Sequence, residues 1–164
     1  MSDFDTVVYN WITASLATAF PGVQVIRANQ NGPRPSEPYV VYNVLNWTEA
    51  SFETFETSEI DEDDLLVQHR KRNRVLVSVN AYAPNGREIL TRLSFSNRIW
   101  EIRRALENAR VSTIRTASIQ DLTFLDDTRF MRRFETSFEF LVSTGLDETR
   151  PRVTEITVTG NPVY

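Results

Sequence analysis

The sequence VLVSVNAY at residues 75–82 decides the fold class, because every second residue in it is apolar. In an extended chain, successive side chains point to opposite sides. Upstream of this stretch, the basic residues Arg70, Arg72 and Arg74 occupy the polar side of the same alternation. We therefore predict a strand from Leu65 to Tyr82, with one face in the core and the other in water.

A second run, rich in β-branched and aromatic residues, extends from Tyr39 to Trp47, directly after Pro38. Residues of these types favour strands. We predict that the two strands form a long hairpin that projects from the body, with residues 48–65 as its tip. A connection of this length inside a compact domain is typically functional.

Two segments show the three- and four-residue spacing of apolar residues that is typical of an amphipathic helix. The first helix ends before Pro21 and Gly22, and its apolar stripe consists of Phe4, Val7, Val8, Trp11, Ile12, Leu16 and Ala19. The second helix covers residues 87–108 and carries two apolar groups, one of Ile89, Leu93 and Trp100 and the other of Phe95, Ile99, Ile102 and Leu106. The second group packs either on a partner outside the chain or against the first helix.

The remaining segments complete the predicted fold. Residues 23–27 predict a short strand, and residues 113–124 and 129–142 predict a second hairpin, whose second strand carries a core face of Phe130, Phe134, Phe138 and Phe140. The fold class is α+β, a mainly antiparallel β-sheet with two helices packed on one face. We assign residues 1–145 to a single domain. Residues 146–164 form an extended C-terminal arm that is either an edge strand or docks on a neighbour.

Charge is divided sharply along the chain. Residues 49–64 contain no Lys or Arg but eight carboxylates, those of Glu49, Glu53, Glu56, Glu59, Asp61, Glu62, Asp63 and Asp64. The run from Arg70 to Arg74 is basic, and its Lys71 is the one Lys among 18 basic residues. Two interpretations stay open. The acidic segment is a solvated loop, or it meets the Arg strand of another subunit or lines a lumen through which a polyanion slides.

Most catalytic chemistry is excluded by composition. The chain has no Cys and one His, which removes cysteine nucleophiles and the usual zinc sites. His69 lies between Gln68 and Arg70 and is expected to be a surface strand residue, and no Gly-rich phosphate loop occurs. The acidic residues lack the spacing of a calcium loop. No signal peptide opens the sequence and no apolar run approaches the roughly 20 residues that cross a bilayer, so we expect a soluble chain with no cofactor, metal or membrane partner.

Several segments together resemble a known family. They are Trp11-Ile12 in the first helix, Gly22-Val23 at the start of a strand, Pro38-Tyr39-Val40 after a Pro-rich loop, VSVNAY at 77–82 before a long helix, and the stretches 119–125 and 132–138 around a turn. This pattern, over residues 4–143, is similar to that of the tailed-bacteriophage neck proteins called tail terminators or tail-completion proteins.

The resemblance implies a structural virion protein rather than an enzyme. Proteins of this family are expected to form a homohexameric ring that caps the tail tube and presents a surface to the head connector. Its partners would be its own copies, the tail tube protein and the head connector or other neck proteins, with DNA only in transit through the lumen. The expected location is the tail-neck region of the virion, after assembly in the host cytoplasm.

A ring needs two unlike patches on each subunit, and the charge pattern suggests where they lie. Our hypothesis places subunit or partner contacts at Glu53, Glu56, Glu59, Asp61, Glu62, Asp63, Asp64, Arg70, Arg72 and Arg74, and on the arm at Val153, Ile156 and Val158. The nearest alternative function is a head-completion or head–tail joining protein. A non-viral adaptor module is more distant, and a carboxylate-based hydrolase comes last.

Overall fold

The computed structural model describes residues 3–31, 33, 35–50, 54–59, 64–126 and 129–151. In this part of the chain, helices and strands follow in the order α1 (Phe4–Leu16), β1 (Gln24–Arg27), β2 (Tyr39–Glu49), β3 (Thr54–Glu59), β4 (Asp64–Tyr82), α2 (Gly86–Ser96), α3 (Trp100–Asn108), β5 (Val111–Thr116), β6 (Gln120–Asp121), β7 (Phe124–Asp126), β8 (Arg129–Met131) and β9 (Arg133–Pro151).

The strands form one large sheet and one small one. The large sheet has the order β1-β2-β4-β9-β5, with β3 paired to β4 and β6 paired to β9. Only the β1–β2 pair is parallel among the strand pairs described. β7 and β8 form a separate two-stranded sheet. The predicted α+β class with a mainly antiparallel sheet is therefore confirmed.

The alternation at residues 75–82 builds the core as predicted. Val75, Val77, Val79 and Ala81 are fully buried. The antiparallel register sets them opposite Phe140, Phe138, Thr136 and Phe134 of β9, in that order. Helix α2 contacts both β4 and β9. Apolar side chains on the two longest strands are thus removed from water together, which is the main stabilising contribution to such a fold.

Helix α1 buries most of the face that its spacing predicts, but the assignment of Ala19 to this face is wrong, because the helix ends at Leu16 and Ala19 is exposed on the following turn. Phe4, Val8, Trp11, Ile12 and Leu16 are buried. The Trp11 ring meets Phe138 and Phe140 edge to face, with ring centroids 4.8 Å and 5.3 Å apart. Aromatic pairs in this geometry add to the stabilisation that burial alone provides. The helix ends at Leu16, before the Pro21-Gly22 turn that was expected to stop it.

The prediction of a single helix over residues 87–108 is wrong. Helix α2 ends at Ser96, and a separate helix, α3, begins at Trp100. Ile99 is extended, with φ −81° and ψ 123°. Ser94 and Ser96 donate side-chain hydrogen bonds to the carbonyl oxygens of Leu90 and Leu93. Such local side-chain bonds compete with helix continuation. The break yields three helices in the described chain instead of two.

The break also decides which apolar group is covered. Ile102 and Leu106 are buried, and α3 contacts α1, so the interpretation in which the first helix covers this group is confirmed for these two residues. Phe95 and Trp100 are 52% and 65% exposed. The two apolar groups predicted on one long helix are therefore each divided between the core and the surface.

Ser96 links the helix layers through a buried hydrogen bond, and its loss is a testable prediction. The Trp11 indole Nε1–H donates to Ser96 Oγ at 3.0 Å, and both residues are buried. Ser96→Ala leaves this donor without its acceptor, so we expect the free energy of unfolding to fall by about 1–3 kcal/mol in urea denaturation. Ser94→Ala, which removes only a bond to the helix backbone, is the control. Equal losses in the two variants would contradict the prediction.

The second hairpin is confirmed in outline, but its assignment of Phe130 is wrong. β5 and β6 pair with β9, and Phe134, Phe138 and Phe140 are buried. Phe130 is 77% exposed, because it belongs to β8, which pairs with β7 rather than with the large sheet. Arg132 lies between β8 and β9 outside both strands, so the alternation in β9 does not extend back to Phe130.

Gly86 begins α2 where the helix abuts the sheet. A β-carbon there would lie 2.6 Å from Cδ2 of Phe134 and 3.1 Å from the carbonyl oxygen of Ala81. Ala normally favours a helix over Gly by about 1 kcal/mol, but this contact reverses the sign. We expect Gly86→Ala to lower the free energy of unfolding by about 1–3 kcal/mol, while Arg87→Ala at the exposed next residue changes it by less than about 0.5 kcal/mol. Stabilisation by Gly86→Ala in thermal or urea unfolding would refute this.

Candidate assembly surfaces

Three strands continue outward from the core as a ribbon. Residues 64–73 of β4 pair with residues 142–151 of β9, and β3 pairs with residues 65–70 of β4. We call these three segments the charged ribbon. The prediction that residues 48–65 form only the tip of the hairpin is wrong, because residues 54–59 form β3 and residues 48–49 and 64–65 belong to β2 and β4. Thr54, Phe55 and Thr57 are residues of types that favour a strand. β9 also passes Gly145, so residues 146–151 of the predicted arm lie in the ribbon.

The ribbon brings the acidic segment beside the Arg run within one chain. The backbone register sets Thr54 opposite Arg70, Glu56 opposite Gln68 and Glu59 opposite Leu65. Asp64 pairs with Pro151 at the far end. The other predicted contact residues lie outside the described residues: Glu53, Asp61, Glu62, Asp63, Val153, Ile156 and Val158. Part of the acidic segment therefore runs beside the strand that carries the Arg run and overlaps that run in register only at Arg70, an arrangement that the separate segments of sequence did not predict.

Arg70, Arg72 and Arg74 occupy alternate positions of β4 and so share one face of the strand. Arg72 is exposed, and Arg74 Nη1 lies 3.7 Å from Glu139 Oε1 on β9. Lys71 lies between Arg70 and Arg72 on the strand, and its side chain forms a 2.9 Å ion pair with Glu49. The face that carries Arg70, Arg72 and Arg74 therefore belongs to β4, the strand that continues from the ribbon into the core.

Gly145 allows the ribbon strands to approach closely. It pairs with Arg70, and a β-carbon at Gly145 would collide with the Arg70 guanidinium Nη1 and the His69 carbonyl oxygen. The Arg70 side chain consequently lies across β9. His69 is partly buried, and its Nε2 is 3.3 Å from Glu148 Oε2. The prediction that His69 lies on a strand is correct, but its side chain is more buried than a surface position implies.

The sheet face away from the helices carries a hydrogen-bonded polar network. Ser78 Oγ donates to Glu135 Oε1 at 2.9 Å, and Arg133 donates to Asn80 Oδ1 at 2.9 Å and to Glu135 Oε2 at 3.3 Å. The Arg133 guanidinium also lies 5.9 Å from the ring centroid of Tyr82. Because each group positions another, this face is a preorganised polar surface.

Beside this network lies a cavity of about 440 Å³ between residues 28–31, Pro33 and Pro35 on one side and the rings of Tyr39 and Tyr82 on the other. The two rings stack with centroids 4.7 Å apart. Within the described ranges, no group of three His, Asp or Glu residues could hold a metal ion. Burial, together with the Asp5 carboxylate, raises the pKa of the Tyr42 phenol, away from values useful in acid–base chemistry near pH 7. No described helix is both long and apolar enough to cross a membrane.

The β7–β8 hairpin exposes apolar side chains that the sequence analysis assigned to strands of the core sheet. Leu125 and Phe130 form a cross-strand pair and are 58% and 77% exposed. Phe124 and Leu122 are also exposed. Asp121 fixes the entry to this hairpin, since its Oδ1 accepts bonds from Thr123 Oγ1 at 2.6 Å and Thr123 N at 3.0 Å. These bonds hold the pKa of Asp121 below its usual value.

The chain thus presents a charged ribbon, a polar sheet face and an exposed apolar hairpin. The sequence matches the family described as phage neck terminator protein over residues 2–162. The chain belongs to this family. The match includes the core, both hairpins and the ribbon. The family inferred from the sequence is therefore confirmed, and membership in the phage neck terminator family makes the chain a structural component of the phage tail neck.

One solved structure similar to this neck terminator chain is the sheath/tube terminator of an extracellular contractile injection system, PVC, in its extended state, determined by cryo-EM. The sequence identity is 15% and the TM-score is 0.43. The alignment covers 97% of this chain and 64% of that chain, so this chain spans less than two thirds of the length of that structural neighbour. No curated protein sequence matches the chain.

Proposed function

We propose that this chain is a tail terminator that forms a homohexameric ring, caps the tail tube and joins it to the head connector. The observation that carries the proposal is the match to the phage neck terminator family over nearly the whole sequence. DNA passes through the lumen of the ring during packaging or ejection, and the subunits assemble in the host cytoplasm. In this role the protein has no catalytic site and works through contacts alone.

The charges of the ribbon support a ring built from identical subunits. A closed ring requires a heterologous interface, in which one patch of a subunit meets a different patch on the next. The exposed Arg72 side chain and the acidic segment on β3 lie on adjacent parts of one ribbon. We place the acidic residues Glu53, Glu56, Glu59, Asp61, Glu62, Asp63 and Asp64 and the basic residues Arg70, Arg72 and Arg74 at subunit or ring–ring contacts or along the channel.

The test is a phage that lacks a functional copy of this chain. A terminator stops polymerisation of the tube, so we expect tails of unregulated length that carry no heads, and complementation should restore normal virions. Negative-stain electron microscopy of the lysate measures both features. Tails of normal length with unjoined heads would instead identify a head-completion protein, and normal virions would refute a role in the neck.

Removal of the C-terminal segment tests its part in assembly. We infer that Val153, Ile156 and Val158 add a strand to a neighbouring subunit or partner. Because residues 146–151 pair with β4 in the same chain, the deletion should begin at Arg152 so that the ribbon stays intact. We expect deletion of residues 152–164 to reduce ring formation at least about tenfold, since a docked strand contributes main-chain hydrogen bonds, with an unchanged unfolding midpoint. Sedimentation velocity measures assembly, and an unaltered ring would contradict this role.

A further inference from the structure

A second interface is indicated by two apolar features that lie apart in the same chain. The first is the β7–β8 hairpin, whose Leu125 and Phe130 are mostly exposed. The second is an open cleft between α1 and α3, with a volume of about 390 Å³. We propose that the β7–β8 hairpin of one copy inserts its apolar side chains into the α1–α3 cleft of the next copy.

The hairpin is built in a way that requires a partner. It forms its own two-stranded sheet, separate from the large sheet. An isolated two-stranded hairpin is only marginally stable in water. Its cross-strand pairs are Phe124 with Met131 and Leu125 with Phe130, so both of its faces are apolar. Such a segment gains stability when another surface covers it.

The cleft has a matching chemistry and a suitable size. Its floor includes Trp11, Ile102 and Leu106, and the small residues Ala14 and Ala105 leave its mouth open. Polar Asn10 and Asn108 stand among its lining residues. Cavities of about 300–1,000 Å³ with apolar walls accept drug-sized ligands. The side chains of a Phe and a Leu are smaller than such ligands, so both fit within this volume.

A chain does not fill its own cleft. Phe130 is 77% exposed although the cleft of the same molecule is open. The hairpin precedes Arg133 at one end of β9, whereas Trp11 on the floor of the cleft contacts Phe138 and Phe140, five and seven residues further along this strand. A strand rises about 3.3 Å per residue, so these contacts lie roughly 16–23 Å from Arg133. The hairpin therefore points to a cleft on another molecule.

The occupant of the cleft is a second copy of this chain, because each copy carries both a projecting apolar hairpin and an apolar cleft that can receive one. The hairpin and the cleft are different surfaces of the subunit. Contacts between unlike patches of identical subunits are heterologous and propagate from each subunit to the next. This inference rests on the proposed ring for the statement that the contact closes after a fixed number of copies. The contact itself is independent of what lies above or below the ring.

The absence of Cys in the chain provides a direct test by cross-linking. Leu125→Cys combined with Ala105→Cys places one thiol on the hairpin and one at the cleft. With a short bis-maleimide, we expect a ladder of successively larger products on a denaturing gel. Mixed single-cysteine variants should give the two-chain product alone. The control combines Leu125→Cys with Ala19→Cys, which is exposed on the turn after α1 and outside the cleft.

Two substitutions then measure the strength of the contact. Phe130→Ser removes the apolar ring that enters the cleft, and Ala105→Trp fills the cleft. Each substitution should weaken self-association about tenfold or more, as expected for a central interface anchor. Ala19→Trp is the matched control for added bulk and should leave association unchanged. Circular dichroism melting confirms that the variants are folded.

The outcomes separate this contact from the function. Cross-linking no stronger than in the Ala19 control, or a cross-link from Leu125→Cys in virions to a different protein, would overturn the proposed docking. If rings still form in that case, the terminator function stands without it. If the ladder forms but phage lacking the chain have normal tails, the docking stands and the proposed function fails.

Discussion

Replacement of Phe138 by Ala is expected to reduce the free energy of unfolding by about 3–5 kcal/mol, because a large buried ring is replaced by a cavity. Phe138 is fully buried in the part of β9 that pairs with the core residues of β4. Its ring contacts Trp11 edge to face at 4.8 Å and lies 6.4 Å from Phe140. The substitution therefore disturbs the contact between α1 and the sheet in addition to removing apolar area. Urea denaturation followed by tryptophan fluorescence measures the change.

Phe130→Ala makes the same chemical change on the neighbouring strand β8 and serves as its control. Phe130 is 77% exposed in the single chain, so at concentrations where the protein is unassembled its loss should change the free energy of unfolding by less than about 0.5 kcal/mol. The pair of variants distinguishes a buried from an exposed position in a run that looks uniform in sequence. Equal destabilisation by both substitutions would show that the hairpin packs on the core.

Replacement of Arg70, Arg72 and Arg74 together by Ser is expected to reduce ring assembly and tail joining at least about tenfold, since charged groups at an interface lose both attraction and register. Stability should change less. The Arg74–Glu139 contact is 3.7 Å long and its Arg is 59% exposed, and ion pairs of this kind contribute about 0–1 kcal/mol. Sedimentation velocity and complementation of the phage lacking the chain measure the two effects.

A matched triple variant distinguishes the effect of where the three Arg residues lie from the effect of losing three positive charges. Arg98, Arg103 and Arg104 lie on α3 and the preceding turn, and their replacement by Ser changes the net charge by the same amount. This variant should assemble normally. Raised salt should weaken assembly of the unmodified chain, because exposed charges are screened. Unaltered assembly and joining by the Arg70, Arg72 and Arg74 variant would refute the placement of this face at a contact.

The strands could be predicted from sequence wherever one face is buried and the other is wet. β4 shows this most clearly, since its two-residue period is maintained from Val75 to Ala81. The break between α2 and α3 could not be predicted in the same way, because apolar spacing continues through it. Ser96, where α2 ends, is held by a contact that is distant in sequence, since its hydroxyl accepts a bond from Trp11, 85 residues away.

For the candidate contact residues too, the sequence shows which residue types are present, and the tertiary structure shows which of them lie side by side. The acidic and basic runs are visible in the composition of short segments, and their types alone indicate protein contacts. Their adjacency depends on the pairing of β3 with β4, and register is a property of strands that have already met. The exposed hairpin was assigned to the core sheet, because periodicity does not show with which strand a Phe is paired.

The sequence by itself determined the fold class, the core strands and the family. Each of these follows from local period, composition or a pattern of short segments, which require no knowledge of distant contacts. Only the tertiary structure decided the length of the ribbon, the division of the helices and the exposure of Phe130. These depend on which segments meet, and burial is a property of the assembled layers, because the same Phe is core or surface according to the strand beside it.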